Sequence, residues 1–244
     1  MTIQLNTETT ATFLNCYPAT GLLNTNAAQT IMFWTNPSSV GVVNTQSQLG
    51  LYNGNTTGTG TTTAIQLGIR NTTGLIVVWT WGGAVLVQAS GFTATTNTWY
   101  HVAYTCTSIS GSNQTHSLYI NGVLNNNSTN ATQMAGTLTQ VYLNGYPGSG
   151  GIESSTTMID DVYLFNRQLS ASEILTIYNT TGQKDGEVYG LVSRYDFNEL
   201  NSGATVVRCT DFSGNNTIIP TVATGGTPFT YILDHTCSDT RPPL

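Results

Sequence analysis

Charged side chains are scarce in this chain. Aspartate, glutamate, lysine and arginine make up 7% of its 244 residues, whereas about 25% is usual in globular proteins. Lys184 is the only lysine, the arginines are dispersed, and the net charge is −6. Because binding to phosphate groups needs clustered positive charge, this composition predicts no nucleic-acid partner. The polar surface must therefore consist of neutral Thr, Asn, Ser and Gly. Because so few charges give weak protection against self-association, we expect the surface to be covered by glycans or buried in an assembly.

Long apolar runs are also missing. No run reaches the ~18 residues that a membrane-spanning helix needs, so we expect no membrane span. The first residues, MTIQLNTETTATF, lack the basic and apolar regions of a secretory leader. Either a leader precedes this sequence or the protein leaves the cell by another route, such as release with a virion.

The residue patterns of known catalytic sites are missing as well. A jelly-roll glucanase would carry its paired carboxylates on one strand face as E-x-D-x-E or E-x-D-x-x-E, and the sequence contains no such pattern. Asp160 and Asp161 are adjacent, so they should point to opposite faces of a strand. His101 is expected in the core and His116 at the surface, and the segment 234–237 (DHTC) is one metal-binding cluster without a second ligand pair. We therefore expect no catalytic residue and no enzyme.

Four cysteines and many glycosylation motifs are present instead. The cysteines are Cys16, Cys106, Cys209 and Cys237. Their wide spacing favours two disulfides with the pairing left open, and buried free thiols are the alternative. Asn-x-Ser/Thr motifs stand at Asn55, Asn71, Asn113, Asn126, Asn127, Asn130, Asn179 and Asn215. In a secreted eukaryotic protein such asparagines accept glycans on surface loops, and residues 125–132 (NNNSTNAT) are the expected loop.

Strand patterns recur every 8–15 residues with Gly, Asn and Ser between them, which predicts an all-β sandwich or barrel. Asn121-Gly122 is typical of a hairpin turn, because both positions tolerate a positive φ. One short helix is predicted near residues 170–179. Ser170 can cap it, with Glu173 completing a capping box.

Four segments carry a specific resemblance. They are residues 30–34 (TIMFW), 98–103 (TWYHVA), 117–124 (SLYINGVL) and 159–174 (IDDVYLFNRQLSASEI). In this order they resemble laminin G-like and pentraxin-like domains of the concanavalin A-like kind. The resemblance covers residues 25–180 and implies a two-sheet antiparallel jelly-roll sandwich. Residues 1–180 would form that sandwich.

A fifth segment stands in an unexpected place. Residues 190–199 (GLVSRYDFNE) and 211–216 (DFSGNN) are similar to the opening of a laminin G-like domain, yet here they follow everything else. With a linker at 181–189 of up to about 35 Å, residues 190–244 could complete the sandwich of their own chain or of a neighbouring copy. Addition to a neighbour would build rings or filaments.

Two kinds of binding site have candidate residues. Calcium is the family's usual ion, and Asp160, Asp211 and Asn215 are the candidate ligands, although a turn bond is the simpler role for Asp211. Trp79, Trp81 and Tyr146 are candidates for stacking on a sugar. Trp79 and Trp81 share a strand face between apolar segments, so both are expected in the core. If they are exposed, Trp81 is the better candidate, because the two glycines beside it let a ligand approach closely.

Two functions remain open at this stage. One is a self-assembling structural protein, outside the cell or on a virion surface, whose partners are further copies of itself and attached glycans. The other is a carbohydrate-binding or adhesion module of lectin type. No cofactor is expected apart from calcium.

Overall fold

A computed structural model describes residues 2–4, 14–16, 23–38, 40, 45–52, 64–70, 73–80, 84–130, 136–138, 140–143, 157–180, 189–195, 209–210, 217–218, 221–222 and 230–232. The strands are β1 (Thr2–Gln4), β2 (Leu14–Cys16), β3 (Leu23–Asn24), β4 (Gln29–Asn36), β5 (Thr45–Tyr52), β6 (Ala64–Arg70), β7 (Leu75–Thr80), β8 (Val85–Gln88), β9 (Tyr100–Cys106), β10 (Gln114–Ile120), β11 (Val123–Asn130), β12 (Thr137–Leu138), β13 (Gln140–Leu143), β14 (Met158–Phe165), β15 (Leu191–Tyr195), β16 (Cys209–Thr210), β17 (Thr217–Ile218), β18 (Thr221–Val222) and β19 (Thr230–Ile232). The helix α1 is Ala171–Asn179.

Two antiparallel sheets form the sandwich. The eight-stranded sheet has the order β11-β10-β9-β4-β14-β1-β19, with β15 also paired to β14. The seven-stranded sheet has the order β18-β2-β13-β5-β6-β7-β8, and two short two-stranded pairs accompany it. This architecture confirms the predicted all-β sandwich with one short helix.

The core lies between the two sheets. Along β4, Ile31 and Phe33 face this core, together with Val78 and Leu67 from the opposite sheet. Met32, between them, belongs to a second apolar cluster on the outer face of the eight-stranded sheet. Because both faces of β4 are buried, its central residues 31–34 (IMFW) are all apolar instead of alternating with polar ones.

The helix covers that outer face. Ile174 is fully buried and packs in the second cluster with Met32 and Phe165. The Ser170 hydroxyl accepts a hydrogen bond from the Glu173 backbone N–H at 3.3 Å, and the Glu173 carboxylate accepts one from the Ser170 N–H at 2.6 Å. The predicted capping box is therefore confirmed.

The strand β15 pairs with β14 in the same chain. Leu191 lies opposite Phe165 and Tyr195 lies opposite Val162. Farther along β14, Ile3 of β1 lies opposite Ile159 on the same side. One edge of β14 is thus occupied by segments from both ends of the sequence. The division of the chain into 1–180, 181–189 and 190–244 stays a prediction.

The turn between β10 and β11 is confirmed, but the loop expected after it is wrong. Asn121 and Gly122 have φ of 51° and 78°, as a hairpin turn of this type requires. A Cβ at Gly122 would lie 2.9 Å from side-chain carbons of Leu175 and Tyr178, so the helix also approaches the turn closely. Residues 125–130 continue as β11 because their asparagine amides find partners across the sandwich edge, as described below.

The disulfide prediction is wrong for Cys106. Its thiol is free and fully buried. The thiol donates to the Ala27 carbonyl oxygen at 3.7 Å, and its sulfur accepts a hydrogen bond from Gln114 Nε2 at 3.4 Å. These partners inside the sandwich satisfy the sulfur without a bond to another cysteine. The side chains of Cys16 and Cys209, and all of Cys237, lie outside the described residues.

Candidate ligand-binding site

The most exposed aromatic ring among the described residues lies where β14 ends and β15 begins. Tyr189 is 79% exposed. The Arg167 guanidinium lies 5.3 Å from the centroid of its ring. Arg167 Nε also donates a 2.7 Å hydrogen bond to the Tyr189 carbonyl oxygen. The Arg167 guanidinium thus lies over the ring, and most of the ring is exposed to solvent.

The backbone next to Tyr189 is fixed by Gly190. This residue has φ +78°, and a Cβ here would lie 2.9 Å from Arg167 Cγ and 3.0 Å from Asn166 Oδ1. The Asn166 N–H donates to the Gly190 carbonyl oxygen at 2.9 Å. Glycine is needed both for the left-handed backbone and for the close approach.

An ion pair neutralises the cation of this site. Arg167 NH1 lies 2.8 Å from Glu173 Oε1, and both side chains are partly exposed. Burial alone would raise the pKa of Glu173, but hydrogen bonds from Ser170 and the charge of Arg167 lower it to about 2. The carboxylate is therefore ionised at neutral pH, and the pair carries no net charge.

One further polar group lies next to Tyr189. Asn166 is exposed, and its Oδ1 would lie 3.0 Å from a Cβ at Gly190, whereas Gln168 Nε2 donates to Thr105 Oγ1 at 3.4 Å on the other side of β14. We name Asn166, Arg167, Glu173 and Tyr189 the rim cluster. A flat aromatic face beside planar amide and guanidinium groups can hold a ring that is apolar on one face and has hydroxyls at its edge. This geometry suits a neutral sugar.

Sequence reasoning missed Tyr189. The residue stood in the segment 181–189 that we interpreted as a linker, and no periodic pattern surrounds it. The two aromatic residues that we proposed for sugar stacking, Trp81 and Tyr146, lie outside the described residues. Trp79 lies on β7 and is buried with 7% exposure.

Two of the three histidines lie in the described residues, and both are buried in the sandwich. The third, His235, lies outside those residues together with the rest of the segment 234–237. His101 is buried, with its ring 5.4 Å from Trp34 and 5.7 Å from Tyr178, as expected for a core histidine. The prediction that His116 lies at the surface is wrong. Its ring is fully buried, and Nδ1 lies 2.8 Å from the Tyr104 hydroxyl, because its position on β10 faces the interior of the sandwich.

Of the three candidate calcium ligands, Asp160 lies in the part of the chain that the structure describes. Asp160 Oδ1 accepts a 2.9 Å hydrogen bond from the Asp161 N–H. Asp161 has φ 44° at a bulge in β14, and its carboxylate is buried 3.9 Å from Arg194 NH2. Asp211 and Asn215 lie outside the described residues, and within those residues no group of three His, Cys, Asp or Glu side chains could hold a metal ion. Calcium binding stays a prediction.

The sequon asparagines divide by exposure. Asn113, Asn127 and Asn179 are exposed, whereas Asn126 and Asn130 are partly buried at the edge of the sandwich. Asn55, Asn71 and Asn215 lie outside the described residues. The helix of the described part is also too short to cross a membrane.

Comparison with known proteins identifies the family. Residues 10–175 match the laminin G-like model of the concanavalin A-like lectin/glucanase superfamily. The chain belongs to this superfamily, which confirms the resemblance found in the sequence. No curated protein sequence matches the chain significantly.

Solved structures show the same fold at low sequence identity. One is a Bacteroides ovatus protein assigned to carbohydrate binding, with 16% identity, a TM-score of 0.60, and coverage of 93% of this chain and 60% of that one. The present chain therefore spans 60% of the length of that protein. Another is the heptameric SAP-like pentraxin from Limulus polyphemus, with 11% identity, a TM-score of 0.58, and coverage of 91% and 94%. A third is the sialidase of Trypanosoma rangeli in complex with sialic acid, with 18% identity, a TM-score of 0.50, and coverage of 65% and 24%.

Proposed function

We propose that this protein is a carbohydrate-binding module of lectin type, and that the rim cluster contacts the sugar. The observation that carries this proposal is the Tyr189 ring, which is 79% exposed and lies 5.3 Å from the Arg167 guanidinium. Single exposed apolar residues are normal on protein surfaces, so the proposal depends on how this ring is held. Arg167 lies over the ring, and the exposed part of the ring can stack on the apolar face of a sugar. A lectin superfamily fold makes a sugar the natural partner.

The geometry favours a neutral sugar over an anionic one. Arg167 is paired with Glu173 at 2.8 Å, so its charge is already balanced. A carboxylated ligand would have to displace Glu173 from an ion pair that also caps the helix. A hydroxyl group needs only a hydrogen bond at the edge of the cluster, and the exposed Asn166 amide can supply it.

A role without catalysis is part of the proposal. The superfamily includes glucanases, but the described carboxylates have other partners. Asp161 is buried beside Arg194, Glu173 caps the helix, and Asp160 accepts from the neighbouring backbone. A glycosidase would need two carboxyl groups facing each other across a cleft.

We place the protein outside the cell or on a virion surface. The sparse charge, with 7% charged residues, and the exposed sequons support this location. Self-assembly by strand addition is the weaker proposal. In this structure β15 already pairs with β14 of its own chain, so that edge is not left open for a neighbouring copy.

A glycan array tests the function, with the variant Tyr189→Ala and the control Leu175→Ala. Leu175 is also exposed, at 42%, but lies on the helix outside the rim cluster. Removing the ring should weaken binding by about 1–2 kcal/mol, or roughly tenfold in Kd, while the control keeps its affinity. Equal binding by wild type and Tyr189→Ala would contradict the proposed site, and no binding to any glycan, with or without calcium, would contradict the function.

A further inference from the structure

Three asparagine side chains close one edge of the sandwich. At this edge β11 of the eight-stranded sheet lies beside β8 of the seven-stranded sheet. Asn130 Nδ2 donates to the Leu86 carbonyl oxygen at 3.1 Å, and Asn126 Nδ2 donates to the Gln88 carbonyl oxygen at 2.8 Å. We name these contacts, together with those of Asn125, the asparagine seam.

Asn125 makes the most complete contact of the seam. Its Oδ1 accepts from the Ser90 N–H at 2.8 Å, and its Nδ2 donates to the Ser90 carbonyl oxygen at 3.2 Å. Leu86, Gln88 and Ser90 are alternate residues, so their main-chain groups point toward the same edge. The asparagine amides thus take the place that a further strand would occupy beside β8.

The seam separates the asparagines of three neighbouring glycosylation motifs into two groups. These begin at Asn126, Asn127 and Asn130. A glycan is attached through the side-chain amide nitrogen, which in Asn126 and Asn130 lies between two strands and is already a donor. A sugar on either nitrogen would stand between β11 and β8, where each amide now donates to a main-chain carbonyl oxygen of β8, and it would have to part the two strands.

Asn127 has the opposite environment. Asn125 is the extra residue of a bulge in β11, which lets it contact β8 beside Asn126. Beyond the bulge neighbouring residues point to opposite sides, and Asn127 is exposed where Asn126 turns inward. Its main-chain N–H is held by Asn126 Oδ1 at 2.9 Å. The seam therefore fixes the backbone of Asn127 while its side chain points into solvent.

We propose that Asn127 is the N-glycan attachment site of β11, and that Asn126 and Asn130 stay unmodified because their amides form the seam. This inference rests on the proposed location outside the cell. It is independent of sugar binding by the rim cluster, so the two can fail separately.

Two substitutions separate the adjacent motifs. Ser128→Ala removes the motif of Asn126 and keeps that of Asn127, because Thr129 remains. Thr129→Ala removes the motif of Asn127 and keeps that of Asn126, because Ser128 remains. The full chain, fused to a secretory leader, would be secreted from insect or mammalian cells. Electron-transfer fragmentation of chymotryptic peptides would then locate the glycan, so that glycans elsewhere in the chain do not confuse the result.

The expected result is a glycan on Asn127 in the wild type and in Ser128→Ala, and its loss from β11 in Thr129→Ala. A glycan on Asn126 or Asn130 in the secreted protein would overturn the proposal. An unmodified Asn127 in the wild type would overturn it as well. The wild-type map alone decides the matter if either variant fails to be secreted.

Discussion

Acid should destabilise this protein through His116. The ring is fully buried inside the sandwich, with Nδ1 2.8 Å from the Tyr104 hydroxyl. Burial lowers the pKa of His116 from 6.5 to about 4, although a hydrogen bond with Asn130 acts in the opposite direction. At neutral pH the ring is therefore neutral in both the folded and the unfolded chain.

The sign and size of the effect follow from this difference in pKa. Between pH 6.5 and 4 the unfolded chain binds a proton at His116 and the folded protein does not. The free energy of unfolding therefore decreases as the pH is lowered from 6.5 to 4. A decrease of about 2.5 in pKa, at about 1.4 kcal/mol for each unit, makes the loss on the order of 3 kcal/mol. Below pH 4 no further loss comes from this group.

Urea unfolding followed by tryptophan fluorescence between pH 7 and pH 4 would measure the effect. The control is His116→Gln, which keeps a polar side chain but cannot take up a proton. Its free energy of unfolding should depend on pH less steeply than that of the wild type over this range. Glu173 does not interfere, because its pKa of about 2 confines its own loss of stability to pH below about 4.5. Equal slopes for wild type and variant would refute the assignment.

Two further predictions concern positions that shape the sites. Gly190→Ala should destabilise the fold more than Gly91→Ala. Both glycines have a positive φ, which costs alanine about 1–2 kcal/mol. Only at Gly190 would the new Cβ also contact Arg167. Equal changes in urea midpoint would contradict that close contact. Asn126→Ala should cost about 1 kcal/mol by removing a hydrogen bond of the seam. The same change at exposed Asn127 should be nearly neutral, and a larger loss at Asn127 would contradict the assigned orientations.

The local patterns of the sequence predicted much of the fold. The hairpin at Asn121-Gly122 and the cap at Ser170 depend on residues within four positions of each other, so the sequence shows them directly. The segments matching the laminin G-like family indicated the sandwich. The predicted loop at 125–132 was wrong because asparagine-rich sequence is typical of turns, and only partners on another strand make it a strand.

The sequence alone determined the all-β class, the helix and its cap, and the scarcity of charge, because alternation, capping and composition are properties of neighbouring residues. The tertiary structure decided which side chains meet. Tyr189 contacts Arg167, 22 positions away, and Asn126 contacts Gln88, 38 positions away. Such contacts depend on how strands are ordered in the two sheets, and no local pattern encodes that order. The rim cluster and the asparagine seam therefore became visible only in the folded chain.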